Sequence, residues 1–170
     1  MVFGQPYVTI LPIFADKVLH GDAFHYGLLY SATGVGALVV ILLIATLGKV
    51  PRKGFFILLG TFAFGALLMA FSQSTWFPLS LVIMALIGFV SQAPRVLINT
   101  SLLEIAPPGI RGRVMSVYTL DRGLVPLGTM IVGPLADVIG APLTLLIMGS
   151  ICVLLALCVG VGVPFARRIP

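Results

Sequence analysis

Residues 107–123 read PPGIRGRVMSVYTLDRG and lie between two long apolar runs. The stretch gathers Pro107, Pro108, Arg111, Arg113, Asp121, Arg122 and three glycines, in a chain with little charge elsewhere. Three readings are open: a nucleic-acid patch, a catalytic loop, or a loop on one face of a membrane. Composition chooses among them. The 170 residues are 59% hydrophobic and 9% charged, with a mean hydropathy of +1.18. A soluble domain carries about 25% charged residues, and far fewer are available here to solvate a globular surface. The net charge of +5 and pI near 9.7 would suit nucleic acid, but the basic residues are divided among short loops instead of forming one polar face. A basic excess in short loops is what the positive-inside rule produces.

Working outward, runs long enough to cross a ~30 Å hydrocarbon core need ~20 mostly apolar residues. Five meet that: 26–48, 55–72, 76–104, 114–136 and 142–165. The breaks KVPRKG, SQSTW, EIAPPGIRGR and DVIGAP carry Pro, Gly or polar residues, as turns require. Residues 1–15 are apolar but interrupted by Pro6 and Pro12, and are expected to be one helix lacking its beginning. The chain thus reads as a single all-α membrane domain, with five full transmembrane helices and a truncated one. The bilayer is its first partner, and no nucleic acid is expected.

Alternation gives orientation. With Lys49, Arg52 and Lys53 in the cytoplasm, Arg111, Arg113, Arg167 and Arg168 fall there too, and only Lys17 among the loop cations falls outside. Loops 49–54 and 106–113 and the C-terminus are therefore expected to be cytoplasmic. Arg111 and Arg113 belong to a loop, after Pro107 and Pro108 end the preceding helix. Asp121 and Arg122 lie inside the next span.

Candidate chemistry is sparse. Cys152 and Cys158 point ~240° apart on a helix, so no disulfide joins them within it and they read as packing residues. His20 and His25 flank Asp22 in an outer loop. Two histidines without a rigid frame are weak evidence for metal, and neither metal nor cofactor is expected. The sequence has no HExxH, GxSxG, P-loop or GxGxxG, and an enzyme is not expected. Small residues at Gly27/Ser31 and Ala32/Gly36 in the first full span, and Gly123, Gly128 and Gly133 in the fourth, read as close-packing positions or as a sliding interface. The most informative span is 76–104. Gln92, Arg95 and Asn99 stand at i, i+3 and i+7 on one helix face, with Pro94 among them. A charge inside a span is costly unless it faces protein or water. This face is expected to look into the bundle or a wet cavity, the alternative being that Arg95 snorkels toward the cytoplasmic interface. Arg95 is nine residues before Glu104 and Asp121 eight after Arg113, both roughly 12–14 Å from one membrane face. On successive antiparallel helices joined by a short loop, Arg95 and Asp121 are expected to form an intramembrane charge pair, directly or through water, the alternative being that Asp121 is protonated or hydrogen-bonded to a backbone carbonyl.

The ordered segments LPIFADKVLHGDAFHYGLLYSATGVGAL, APPGIRGRVMSVY, RGLVPLG and GPLADVIGAP cover most of the chain. They resemble the C-terminal half of a major facilitator superfamily transporter, most like the drug and siderophore exporter branch that includes enterobactin exporter-like proteins. The resemblance implies half of a twelve-helix bundle, with the short segment as helix seven and the five spans as helices eight to twelve. It implies a small-molecule substrate, export by alternating access, a coupling proton as in an antiporter, and a bacterial inner-membrane location. It also implies that the N-terminal six-helix half is missing. The family's gating-loop motif has a degenerate counterpart in ATLGKVPRKG, where Lys49, Arg52 and Lys53 match its basic positions and Gly48 stands in place of an aspartate. Helices seven and ten line the cavity in that family, which places Tyr7, Thr9, Gln92 and Asn99 near substrate, with Arg95 on the same face. The other class open to the sequence is a non-transporting membrane protein, such as an assembly subunit, or an inactive fragment.

The topology is testable directly. With Cys152 and Cys158 replaced, Gly54→Cys and Gly109→Cys are expected to resist an impermeant thiol reagent on intact cells and to react in inverted vesicles. Labelling of both from outside reverses the orientation.

Overall fold

The computed structural model describes the backbone of residues 6–19, 21–47, 53–107, 109–123 and 125–162, and within these all side chains except those of 47, 53, 55, 104, 105, 121, 122, 161 and 162. Every regular element among the described residues is a helix: α1 (Tyr7–Lys17), α2 (Ala23–Leu47), α3 (Lys53–Ser72), α4 (Phe77–Ile105), α5 (Arg111–Gly123), α6 (Val125–Ile139) and α7 (Ala141–Gly162). Ala23–Thr46, Phe77–Leu103, Arg111–Ile139 and Ala141–Gly160 are long and apolar enough to cross a membrane, and Phe56–Ser72 is a shorter apolar helix. Leu42, 65% exposed, and Leu154, 60% exposed, are two of many large apolar side chains facing outward. Such a surface suits hydrocarbon, where helices also satisfy every backbone polar group internally. The expected span 114–136 corresponds to α5 and α6, on either side of residue 124, which is outside the described residues. Gly140, at φ +89°, takes the left-handed conformation that lets the chain turn from α6 into α7.

Two glycine contacts set how the helices meet. A Cβ on Gly36 would run into the Ala85 carbonyl oxygen, and one on Gly88 into that of Thr33. α2 and α4 therefore touch backbone to backbone. His25 meets Phe77 near the start of both helices and the glycines meet further along both, so the pair is parallel. α3 and α7 also touch backbone to backbone. A Cβ on Gly65 would lie 2.7 Å from the Gly149 carbonyl oxygen, and one on Gly149 would lie 2.7 Å from that of Gly65. A third approach joins the two pairs. Gly60 of α3 faces Pro94 of α4, whose Cγ would be 3.0 Å from an added Cβ. In lipid there is no hydrophobic drive between helices, so close van der Waals approach of this kind supplies the attraction.

The core is filled from α1. Ile10, Leu11 and Phe14 are essentially inaccessible and pack with Leu68 and Phe71 of α3, Met84 and Ile87 of α4, and Leu145 of α7. The Phe14 and Phe71 rings lie 4.5 Å apart between centroids. Across the α3–α4 turn, Ser74 and Ser80 share a buried 2.8 Å hydrogen bond. α4 and α5 are joined by a short turn, yet they touch only slightly, while α4 packs broadly on α2 and α3.

Overfilling a well-packed contact typically costs 1–3 kcal/mol. Gly36→Leu and Gly149→Leu are each expected to destabilise the detergent-purified protein by at least about 1 kcal/mol. Gly27→Leu, at a position with open space around it, is the matched control and should leave the melting temperature unchanged. Equal behaviour of all three variants, followed by circular dichroism on heating, would refute backbone packing at these crossings.

Candidate functional site

Among the described residues, the polar stripe of α4 sets several polar side chains deep in an apolar helix. Arg95 lies eighteen residues after Phe77 and ten before Ile105, about 27 and 15 Å along the axis from the two ends. Gln92, Arg95 and Asn99 are all half-buried. The neighbouring hydroxyls are satisfied by their own helix: Ser91 donates to Gly88 (3.1 Å), Thr100 to Val96 (2.9 Å) and Ser101 to Leu97 (2.7 Å). Asn99 differs. Its Oδ1 is buried and accepts no hydrogen bond. A buried acceptor left without a donor costs about 1–3 kcal/mol, so this atom calls for a partner.

α1 and α2 bring further polar groups toward Arg95. Tyr7 is buried, its ring edge-on to Phe64 at 6.0 Å between centroids. Arg95 and Tyr30 both lie within electrostatic reach of its phenol. Tyr30 is half-exposed and stacks on Tyr26, one turn earlier in α2, with centroids 6.2 Å apart. Polar groups thus come from three helices: Tyr7 from α1, Tyr30 from α2, and Arg95 with its stripe from α4. Thr9 does not join them. Thr9 is exposed, and two residues along a helix turn it ~200° away from Tyr7. Tyr30 was not anticipated from the sequence, where the only available signal was a second tyrosine at i+4 within the first full span.

The other expected residues divide. The side chain of Asp121 is outside those described, so the expected pair with Arg95 lies outside the described residues, as do Lys49, Arg52 and the side chain of Lys53. Arg111 is accounted for: its Nε donates to the Ala106 carbonyl at 3.1 Å, tying the turn that follows α4. A cation there also complements the negative end of that helix. Arg113 is exposed and borders a groove of about 510 Å³ with Leu102, Ile110, Val114, Val117 and Tyr118. Both cysteines are free, Cys152 buried and Cys158 exposed.

Asp22 and His25 form a helix cap. Asp22 Oδ1 accepts the Phe24 and His25 backbone N–H groups at 3.0 and 3.2 Å, closing the first turn of α2. His25 Nδ1 lies 2.8 Å from the same oxygen and 3.3 Å from the Asp22 backbone nitrogen. One nitrogen cannot donate to the first and accept from the second at once, and the shorter, charge-assisted bond to the carboxylate prevails. The His25 ring stands edge-on to Phe77, at 4.8 Å, so the cap also braces α2 against α4. A Cβ on Gly21 would strike the His25 side chain, which explains the glycine. This cap starts the helix at Ala23, three residues before the expected start of the span at Tyr26.

These features define a multi-pass helical membrane protein with a polar stripe on α4. Residues 2–167 match the family described as transmembrane secretion effector, within the major facilitator superfamily, and the chain belongs to that family. It is similar to the staphyloferrin A transporter of Staphylococcus aureus, at 28% identity over 90% of this chain and 39% of the relative. It is also similar to the multidrug efflux pump Tap of Mycolicibacterium fortuitum, at 30% identity over 84% of this chain and 35% of the relative. The chain spans well under half the length of these relatives. No solved structure shows a significant match to it. The fold is all-helical and corresponds to part of a major facilitator bundle.

The cap has a pH signature. Hydrogen bonding from His25, first through its side chain and then through its backbone, holds the Asp22 carboxyl below its ordinary value. A depressed pKa means stabilisation that is present above the unfolded value and lost as pH falls through the folded one. Acidification below about pH 4 should therefore lower the melting temperature, and Asp22→Ala should remove that component while lowering stability at neutral pH. An unchanged acid limb in the variant would rule out the cap as its source.

Proposed function

We propose that this chain forms the C-terminal half of a proton-coupled exporter of small molecules in the bacterial inner membrane. Loops 49–54 and 106–113 and the C-terminus face the cytoplasm in this reading. The observation that carries it is the stripe Gln92–Arg95–Asn99, with Tyr7 beside it and the Asn99 Oδ1 unpartnered. Polar groups set this deep in a span mark a substrate or ion path more often than a packing choice. The family and the two relatives, a staphyloferrin A transporter and a multidrug efflux pump, support a transport role.

The mechanism follows from how such bundles work. A site near the bilayer midplane is exposed to one side and then the other as two halves rock. This half contributes α1 and α4 as cavity walls, and an N-terminal six-helix half contributes the rest. The backbone contacts α2–α4 and α3–α7 keep this half rigid, so rocking takes place between halves. The basic residues Lys49, Arg52, Lys53, Arg111 and Arg113 form the cytoplasmic gating loops. The coupling proton and the export direction rest on the resemblance to the exporter branch.

The test is made in the full gene product, expressed in a bacterium lacking its main efflux pumps. Gln92→Ala and Asn99→Ala are expected to change efflux of a transported dye or siderophore at least threefold, about 0.7 kcal/mol, with membrane insertion unaltered. Unchanged rates and unchanged substrate range in both variants would mean that the stripe does not line the cavity.

A further inference from the structure

We infer that the groove between the end of α4 and the start of α5 holds an anionic phospholipid, its phosphate at Arg113 and an acyl chain along α5. The site needs only the membrane class of the fold, and is independent of the transport reading.

The groove lies where two consecutive helices part. α4 and α5 are joined by a short turn but touch only slightly. Between them is a space of about 510 Å³, with Leu102 of α4 on one side and Val114, Val117 and Tyr118 of α5 on the other. Val117 is 71% exposed, so the groove opens outward from the described helices. The membrane-crossing segment Arg111–Ile139 begins at this point, which sets the mouth of the groove at a membrane surface and its floor in hydrocarbon.

Charge and apolar surface are ordered along the helix as they are along a phospholipid. Arg113, Val117 and Leu120 stand at i, i+4 and i+7 on one face of α5. Arg113 is exposed in the first turn. Val117 and Leu120, the latter 67% exposed, follow roughly 6 and 10 Å deeper. A guanidinium is suited to phosphate, which it can hold through two parallel N–H bonds. Arg111 adds a second exposed cation in the same turn, because only its Nε is committed to the Ala106 carbonyl. The first turn of a thirteen-residue helix also presents the positive end of its dipole. Access is open there, since a Cβ on Gly112 would meet nothing within 4 Å. Tyr118 borders the groove five residues beyond Arg113, roughly 7 Å deeper. Its phenol can donate to an ester carbonyl, the acceptor that lies just below the phosphate in a phospholipid.

The other occupants fit less of this. A soluble anion would use the cations and leave the apolar wall bare. A neutral lipid or an apolar helix would cover the wall and leave the cations at the mouth without a role. A basic pocket between spans at a membrane surface is the usual form of an anionic headgroup site. Filling the groove also joins α5 to α4 where their own contact is slight, so the lipid should stabilise the bundle.

The experiment uses the full gene product in phosphatidylcholine nanodiscs. Phosphatidylglycerol or phosphatidylcholine carrying a diazirine in the same acyl chain is added at equal mole fraction, and labelled residues are located by mass spectrometry after illumination. Phosphatidylglycerol is expected to mark residues 102–118 about fivefold more than phosphatidylcholine, the size expected of one cation at a surface. Arg113→Gln should remove that excess, Arg113→Lys should keep most of it, and Tyr118→Phe should lower it less than Arg113→Gln. Labelling of the outer faces of α2 and α7 should not distinguish the two lipids in any variant, which shows that each is folded. In detergent, phosphatidylglycerol should raise the melting temperature more than phosphatidylcholine or inorganic phosphate. Equal labelling of the groove by both lipids, or an excess that survives Arg113→Gln, overturns the site. Absence of label from both means that protein covers the groove, and stabilisation by inorganic phosphate alone to the same degree assigns it to soluble anions; either result refutes the lipid.

Discussion

The arrangement depends on two places where helices meet without side chains between them. Gly36 and Gly88 let α2 lie directly on α4, and Gly65 and Gly149 do the same for α3 and α7. Everything else is positioned by these contacts. With α2 and α4 in register, His25 reaches Phe77 at one end, while deeper in the bundle α4 carries Arg95 toward the tyrosines of α1 and α2. With α3 held against α7 and Gly60 against Pro94, a seam remains into which Ile10, Leu11 and Phe14 of α1 fit. Backbone-to-backbone contacts have no rotamers to relax. A helix pair made this way is set at one distance, and its polar residues are held with it.

Pro94 shows how a local weakness is absorbed by this geometry. A proline inside a helix removes one hydrogen bond, that to the carbonyl four residues earlier. Here that carbonyl is Val90's, and α3 passes it at a glycine: an added Cβ on Gly60 would sit 3.6 Å from the Val90 oxygen and 3.0 Å from Pro94 Cγ. The flaw in α4 and the gap in α3 coincide, one residue before Arg95. The backbone beside the polar stripe is thus buttressed by α3 at Gly60.

The two levels of this structure were unequally legible in the sequence. The all-helical membrane class follows from composition and run length. The α4 stripe follows from spacing, because i, i+3, i+7 defines a face whatever surrounds it. The packing face of α2 did not follow. Gly27/Ser31 and Ala32/Gly36 have the same spacing, yet Gly27 borders open space while Gly36 lies against Ala85. Periodicity locates a face but not the helix that will cover it. Gly65 and Gly149 were not singled out, since each gains meaning only from the other. Chain order does not name the main partner either: α4 follows α3 and precedes α5, but packs most broadly on α2. Tyr30 joins the other polar groups only because α1 settles beside α2, which no local pattern encodes. In the turn after Lys17, Asp22 and His25 looked like solvated loop residues with a remote chance of metal, but an aspartate directly before an apolar run is also a helix-start signal.

The α3–α7 crossing has a consequence for the thiols. Cys152 is buried three residues past Gly149, beside the crossing, whereas Cys158 is exposed two turns on. In a rigid pair only Cys158 meets a lipid-soluble alkylating agent. Modification of Cys152 then waits for α3 and α7 to part, so its rate, read against that of Cys158 on the same helix, is a clock for local opening within the bundle. The protein carries this clock in its native sequence.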